Sequence, residues 1–336
     1  MATCTDTPPV SPAAPSRPPS STRLVWLALS IVYVVWGSTY LAIRVVVRTA
    51  PPLVSAGLRF LVAAAVLAAV LAARHRTVRV VRVGARQFAA CALVGGLLLL
   101  GGNGLVMIAE QRLPSGLAAL VLAAVPLWVV VLRALTRDRP RSATVTGVFL
   151  GFAGIALLLL PGERPDGAPL AGLLTVLGAS LAWATGSFVA PRLPLPRDPF
   201  VATTHEMLAG GLLMLVLGTL RGERFVPGGV SMASWAALGY LVVFGSLVAF
   251  TAYVWLLSHA PISLASTNSY VNPAVAVALG AALLGESVTA AMLAGGALVV
   301  SSVAIVVRTE SHTPTRGPRE TAAGPRPSRP RTAGTR

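Results

Sequence analysis

The sequence has little charge for its length and no lysine at all. Charged residues make up 11% of the 336 positions, whereas hydrophobic residues make up 55%. Because a soluble protein carries roughly 25% charged residues on average, this composition indicates a polytopic membrane protein. All 27 basic side chains are arginines, and the absence of lysine excludes both a Walker A phosphate-binding loop and a Schiff-base mechanism.

Cysteine and metal-ligand patterns are also scarce. The two cysteines, Cys4 and Cys91, provide no disulfide framework. His205-Glu206 begins like the zinc motif HExxH, but position 209 is alanine, so no metal site is expected. No cofactor is expected either, and no constellation of residues favours an enzyme.

Ten apolar runs are each long enough, or nearly so, to cross a bilayer. They cover residues 24–47, 52–73, 87–109, 113–135, 143–160, 170–190, 200–220, 231–257, 262–284 and 288–307. The segments outside them, 1–22 and 308–336, are rich in proline, small polar residues or arginine, and we expect disordered tails.

The chain repeats itself with an offset of 147 positions. The pairs that show it are Trp36/Trp183, Arg59/Glu206, Pro114/Pro261 and Pro126/Pro273. The sequence therefore predicts two units, 23–160 and 170–307, joined by a linker at 161–169. Because each unit has an odd number of spans, the second unit must enter the membrane upside down, as in alternating-access carriers.

The distribution of arginines predicts the orientation. With the N-terminus inside, cytoplasmic segments hold 20 arginines and external segments hold 6, so the positive-inside rule places both tails in the cytoplasm. The net charge of +16 therefore reflects topology in a cell membrane, and no nucleic-acid partner is expected.

Three stretches resemble a known family: WGSTYLAIR…PPLVSAGLRF at 36–60, LPSGLAALVLAAVPLW at 113–128 and APISLASTNSYVNPAVAVALGAALLGE at 260–286. They are similar to the two EamA domains of the drug/metabolite transporter superfamily. The resemblance covers about 24–307. It implies an all-α fold of ten transmembrane helices, arranged as two inverted five-helix repeats around a central cavity, and transport of small metabolites.

Polar residues near the middle of the spans are the candidates for a substrate cavity. Glycine and hydroxyl residues beside Trp36 and Trp183 predict loosened helices there, and the ninth span is the most polar, whereas the fourth is apolar at the equivalent positions. The predicted cavity residues are Trp36, Ser38, Tyr40, Asn103, Trp183, Thr185, Ser187, Asn268, Tyr270 and Asn272; the predicted hinges are Gly37, Pro126, Gly186 and Pro273. Packing of the tryptophans and interhelical amide bonding are the alternatives.

Few charges lie inside the spans. Arg59 lies about 10 Å from one face by the helical rise, too far in depth from Glu206 for a direct pair, and Glu110 is its candidate partner. Glu206 is the candidate for proton coupling, because an ionisable residue inside a membrane is a functional candidate by default. The alternative is a neutral, hydrogen-bonded carboxyl.

Together these features predict a secondary transporter for small molecules in the plasma membrane, an exporter of amino acids, amphipathic metabolites or drugs that works by alternating access. Its energy source would be a gradient, since the chain lacks an ATP-binding loop. A lipid flippase, or a receptor or scaffold, is the alternative function. Besides its substrate and the lipid bilayer, the sequence predicts no partner, and it leaves a monomer and a homodimer both open.

Overall fold

A computed structural model describes residues 22–136, 141–160, 168–260, 264 and 267–311. Every regular element in this part of the chain is helical. The predicted tails lie largely outside the described residues, as does most of the linker. The helix that begins at Thr22 includes that one residue of the predicted N-terminal tail, and the helix that ends at Ser311 includes residues 308–311 of the C-terminal one.

Ten helical spans make up the fold in the described residues. Nine of them are long and apolar enough to cross a membrane, and the other one, Asn268–Leu284, is shorter. Their bounds are α1 Thr22–Val46, α2 Pro52–His75, α3 in three parts (Ala85–Gly95, Gly96–Gly104 and Leu105–Ala109), α4 in two parts (Ser115–Leu122 and Val125–Leu135), α5 Ser142–Leu159, α6 Leu170–Val189, α7 Pro199–Leu220, α8 in three parts (Met232–Tyr240, Leu241–Val248 and Ala249–His259), α9 Asn268–Leu284 and α10 Ala290–Ser311.

Local sequence signals set several helix ends. Pro52 and Pro199 stand in the first turns of α2 and α7, where a missing N–H costs nothing. Asp198 caps α7 by accepting a hydrogen bond from the Phe200 N–H at 2.8 Å. Gly285 ends α9 with φ +65°, a left-handed conformation that glycine adopts without steric cost.

The two repeats interleave, and their contacts obey an approximate two-fold symmetry. Helix α2 packs on its repeat equivalent α7, and α5 packs on its equivalent α10. The contact of α1 with α9 is matched by the contact of α6 with α4. The contacts of α3 with α6 and α7 are matched by those of α8 with α1 and α2. Each of these pairs of contacting helices therefore takes one helix from each repeat.

Not all of the helix distortions lie where the sequence placed them. The predicted loosening around Trp36 and Trp183 is wrong, because α1 and α6 are continuous there. Nearby hydroxyls instead bond to their own helix: Thr39 donates to the Trp36 carbonyl at 2.6 Å, and Thr185 donates to the Leu181 carbonyl at 2.8 Å.

The distortions lie in α3 and α8, at equivalent depths in the two repeats. The middle parts of both helices, Gly96–Gly104 and Leu241–Val248, are wound as π-helix, with one more residue per hydrogen-bonded turn. A third irregularity, a turn at Ala123 and Ala124, divides α4 just before Pro126. Segments of π-helix occur frequently at functional sites.

Hydrogen bonds join the repeats at the end of the bundle opposite to the start of α1 and the end of α10. We call this end, which carries residues 47–51, 110–114, 221–231 and 285–289, the far end, and the opposite one the tail end. Glu223 accepts from the Val54 N–H at 3.0 Å, and Thr49 donates to the Ser234 hydroxyl at 2.8 Å. Glu286 accepts from the Ser115 N–H at 2.8 Å.

Candidate functional site

A cavity of about 510 Å³ lies at the centre of the interleaved repeats. Eight of the ten helices contribute to its lining, all except α5 and α10, which pack against each other at one side. Its volume falls in the range of about 300–1,000 Å³ that small-molecule pockets occupy. The two π-helical segments both reach it, through Asn103 in α3 and Ser246 in α8.

Two of the helices that line the cavity differ in polarity. Helix α9 presents the polar residues Asn268, Ser269 and Asn272 together with Pro273. Helix α4 presents only apolar residues, namely Ala119, Leu122, Ala123, Val125 and Pro126. The Oδ1 atom of Asn272 is buried and has no hydrogen-bond partner among the described residues. Because an orphaned buried acceptor is unfavourable, a hydrogen-bond donor that reached it would stabilise this side chain.

Trp36 ties α1 to the distorted part of α8. Its indole N–H donates to the Gly245 carbonyl at 3.2 Å, and its ring lies 5.0 Å from that of Tyr253, tilted by 47°. With the N–H satisfied at one side, the rest of the ring faces the cavity as a flat apolar surface. Trp36 is therefore positioned by α8 rather than by its own helix.

Trp183 takes a related place on the other repeat. Its ring lies across Gly102 in the π-helical part of α3, and a Cβ atom added at Gly102 would lie 2.5 Å from the ring atom Cε3. Only glycine leaves room for the ring at this point. The glycine-rich sequence of α3 thus allows the second tryptophan to reach the cavity.

Arg59 and Glu206 are the two charged residues among those that line the cavity. Arg59 Nε donates to the Ser246 hydroxyl at 2.9 Å, and its Nη1 is buried without a partner. The expected contact between Arg59 and Glu110 is wrong. It is the Arg44 guanidinium that reaches Glu110, donating to its carbonyl, and the buried Glu110 carboxyl oxygens have no partner.

Glu206 lies on the α7 side of the cavity and is half-buried. Within the described residues it makes no side-chain hydrogen bond or ion pair, including none with Arg59, as the difference in depth predicted. Its neighbour His205 faces elsewhere, bonding to the Val201 carbonyl at 2.9 Å and meeting the edge of the Phe88 ring. The Glu206 carboxyl is thus accessible to the cavity.

The structure brings most of the predicted site residues together. The predicted residues that line the cavity are Trp36, Tyr40, Asn103, Trp183, Ser187, Asn268, Asn272, Glu206, Pro126 and Pro273. Whether they bind a solute, carry protons or act as hinges stays a prediction.

The other predicted residues lie outside the lining, because they occupy other faces of the same helices. Ser38 faces α8, where its hydroxyl pairs with that of Tyr240 at 2.7 Å, and Tyr270 packs against a cluster of α4, α5 and α10. Thr185 bonds back to its own helix. Gly37 and Gly186 face Val275 and Leu98, and serve the close approach of neighbouring helices.

Sequence reasoning missed several lining residues, notably Phe60, Thr203, Ser246 and Tyr253. Ser246 stands beside Gly245 in an otherwise apolar part of the span, and this single polar residue could have indicated a position in the cavity lining. Phe60 gave no such signal, because an aromatic residue in an apolar span is ordinary.

A bundle of apolar spans in two repeats, with a central cavity that holds buried polar groups, defines the class of membrane transporters. The model of the EamA-like transporter family matches residues 23–160 and again 170–308. The chain therefore belongs to the EamA-like transporter family, and it is a membrane transporter of this type.

Individual relatives agree with this assignment. The chain is 38% identical over 282 residues to the uncharacterized inner membrane transporter YedA of Escherichia coli strain K12, covering 83% of this chain and 89% of that one. It is 26% identical to a protein of Salmonella typhimurium named a probable amino-acid metabolite efflux pump, covering 84% and 94% of the two chains. A solved structure titled "Crystal structure of protein" has the same fold, with a TM-score of 0.59 at 22% identity over 85% of this chain and 98% of that one.

Proposed function

We propose that the chain is a secondary transporter that exports small amphipathic metabolites, among them amino acids or drugs, by alternating access. The observation that carries this proposal is the central cavity, to which α9 contributes an amide-rich surface and α4 an apolar one. A solute with a polar end and an apolar body would satisfy the unpartnered Asn272 oxygen and also cover the apolar wall.

The arrangement of the repeats supports the alternating mechanism. Within the described residues, Glu223, Glu286 and Thr49 reach across from one repeat to the other at the far end. If the two related repeats exchanged their conformations, the hydrogen-bonded far end would open and the tail end would close.

The relative named a probable amino-acid metabolite efflux pump supports both the substrate class and the direction. No ATP-binding loop occurs in the sequence, so the proposal includes a gradient as the energy source. Glu206, half-buried and unpaired at the cavity, is the residue proposed to exchange a proton as cargo moves.

The proposed location is the plasma membrane, with both tails and the tail end in the cytoplasm. Single cysteines at Thr77 and Gly228, both exposed, would lie on opposite sides of the membrane. In a background with Cys4→Ser and Cys91→Ser, an impermeant thiol reagent added to intact cells should label Gly228→Cys and not Thr77→Cys. Labelling of Thr77→Cys from outside would contradict the topology.

The transport activity is tested by counterflow in proteoliposomes. Liposomes preloaded with one unlabelled compound should accumulate the same compound in radiolabelled form when it is a substrate. A panel of amino acids, other carboxylates, amines and uncharged metabolites covers the proposed class, and empty liposomes give the background. Absence of counterflow for the whole panel would contradict the proposed function.

A further inference from the structure

Arg59 is a buried cation that no described residue neutralises. Only 5% of its surface is exposed. Its contacts are the bond from Nε to Ser246 and the ring of Phe60, whose centroid lies 4.6 Å from Cζ. The Nη1 atom has no hydrogen-bond partner. A buried guanidinium usually has a carboxylate opposite it.

The nearby acidic residues do not supply that carboxylate. Glu206 makes no ion pair within the described residues, and the carboxyl oxygens of Glu110 have no partner. The Glu110 carbonyl is contacted by Arg44 instead. The positive charge of Arg59 therefore remains uncompensated in the part of the chain that the structure describes.

Arg59 reaches the cavity, although its unpartnered Nη1 atom is itself buried. Arg59 lines it together with Thr39, Gly245 and Ser246. The Ser246 hydroxyl accepts the hydrogen bond of Nε, and the Phe60 ring covers one face of the guanidinium. At Gly245 an added Cβ would lie 3.2 Å from Nη2, so the missing side chain allows the guanidinium to pack closely against α8. The terminal nitrogens form the fork that binds a carboxylate with two parallel hydrogen bonds.

We propose that Arg59 binds the carboxylate of the cargo, and that the cargo class is small carboxylic acids with an apolar body, amino acids included. This inference rests on the proposed function and narrows it. The carboxylate supplies the missing counter-charge, and the apolar body lies against Trp36 and the α4 wall. Ser246 holds the guanidinium in place before the cargo arrives.

The competing explanation is structural. In that case Arg59 serves only to tie α2 to α8 through Ser246, and its loss would weaken binding of every solute to the same extent. The two explanations differ in selectivity between charged and neutral solutes of the same shape. Two matched pairs provide that comparison: phenylacetate with phenylacetamide, and L-phenylalanine with L-phenylalaninamide.

Binding to the detergent-solubilised protein can be followed by quenching of tryptophan fluorescence, since Trp36 and Trp183 line the cavity. The wild type should bind each carboxylate about tenfold or more tightly than its amide, the scale of one charge-assisted hydrogen bond. Arg59→Gln should bind both members of a pair alike, and Arg59→Lys should keep part of the preference. Arg74→Gln removes an exposed arginine from the same helix and should behave as wild type.

Equal affinity of the wild type for a carboxylate and its amide would overturn the inference, as would a uniform loss in Arg59→Gln. The wild-type comparison alone decides the matter if Arg59→Gln does not fold. Failure of the wild type to bind any of the four compounds also overturns it. Counterflow of uncharged or cationic members of the panel would then leave the proposed transport function standing while this inference fails.

Discussion

Glu286 and Ser115 form a hydrogen-bonded pair that joins the second repeat to the first. The Glu286 carboxylate accepts the Ser115 N–H at 2.8 Å, its hydroxyl at 2.9 Å and the Gly116 N–H at 3.2 Å. The Glu286 carboxylate thus caps the N-terminus of α4 from a distant part of the chain, and its negative charge interacts favourably with the positive end of the helix dipole. The equivalents 147 positions away, Arg139 and Ile262, offer neither a carboxylate nor a hydroxyl.

The bonds of Glu286 hold the two repeats together at the far end. We predict that Glu286→Ala lowers the melting temperature of the purified protein by a few degrees, because hydrogen bonds to a charged group contribute about 1.5–3 kcal/mol each. Glu223→Ala is the matched control, since Glu223 accepts one hydrogen bond, from Val54. Its melting temperature should fall less. A larger effect of Glu223→Ala, measured by thermal unfolding in detergent, would refute the assigned role of Glu286.

The cavity makes a prediction about individual side chains. Trp36→Ala and Asn272→Ala should each reduce counterflow strongly, because one removes an apolar surface and the other a buried acceptor. Thr185→Ala should transport normally, since the Thr185 hydroxyl bonds to its own helix outside the lining. Membrane abundance, measured by immunoblot, should be equal for all three. Normal transport by both Trp36→Ala and Asn272→Ala would place the binding site elsewhere.

Sequence alone predicted the ten spans and ten of the residues that line the cavity. Long apolar runs and the 147-residue offset determine the spans and their pairing, and polar residues in such runs are few enough to stand out. Trp36, Trp183 and Asn272 were found in this way. The same reasoning included Ser38, Tyr270 and Thr185, because the face of a helix that meets the cavity depends on how its neighbours pack.

The π-helical segments of α3 and α8 could not be predicted, since they depend on tertiary contacts. In α3, a Cβ added at Gly101 would lie 2.8 Å from the Cβ of Ala182, so the backbone register there depends on α6. The partner of Arg59 was missed for a related reason. Ser246 lies 187 positions away in an apolar span, and a single hydroxyl carries no pattern.

Proton coupling provides a prediction for Glu206. In proteoliposomes, an imposed pH gradient should accelerate cargo flux through the wild type. Glu206→Gln should retain counterflow but lose this acceleration, because the amide cannot release a proton. Asp198→Asn, which changes a carboxylate that only caps α7, is the control and should keep it. Wild-type flux that ignores the gradient would make the protein a facilitator, with Glu206 structural.

Access to the cavity from the two sides of the membrane tests alternating access most directly. A single cysteine at position 272, in the Cys4→Ser and Cys91→Ser background, can be reacted with an impermeant thiol reagent from either side of oriented vesicles. The account predicts reaction mainly from the tail side, and a shift toward the far side when Glu286→Ala removes the cross-repeat bonds. Simultaneous, equal reaction from both sides would indicate an open channel and contradict the account, and so would a far-side reactivity that Glu286→Ala leaves unchanged.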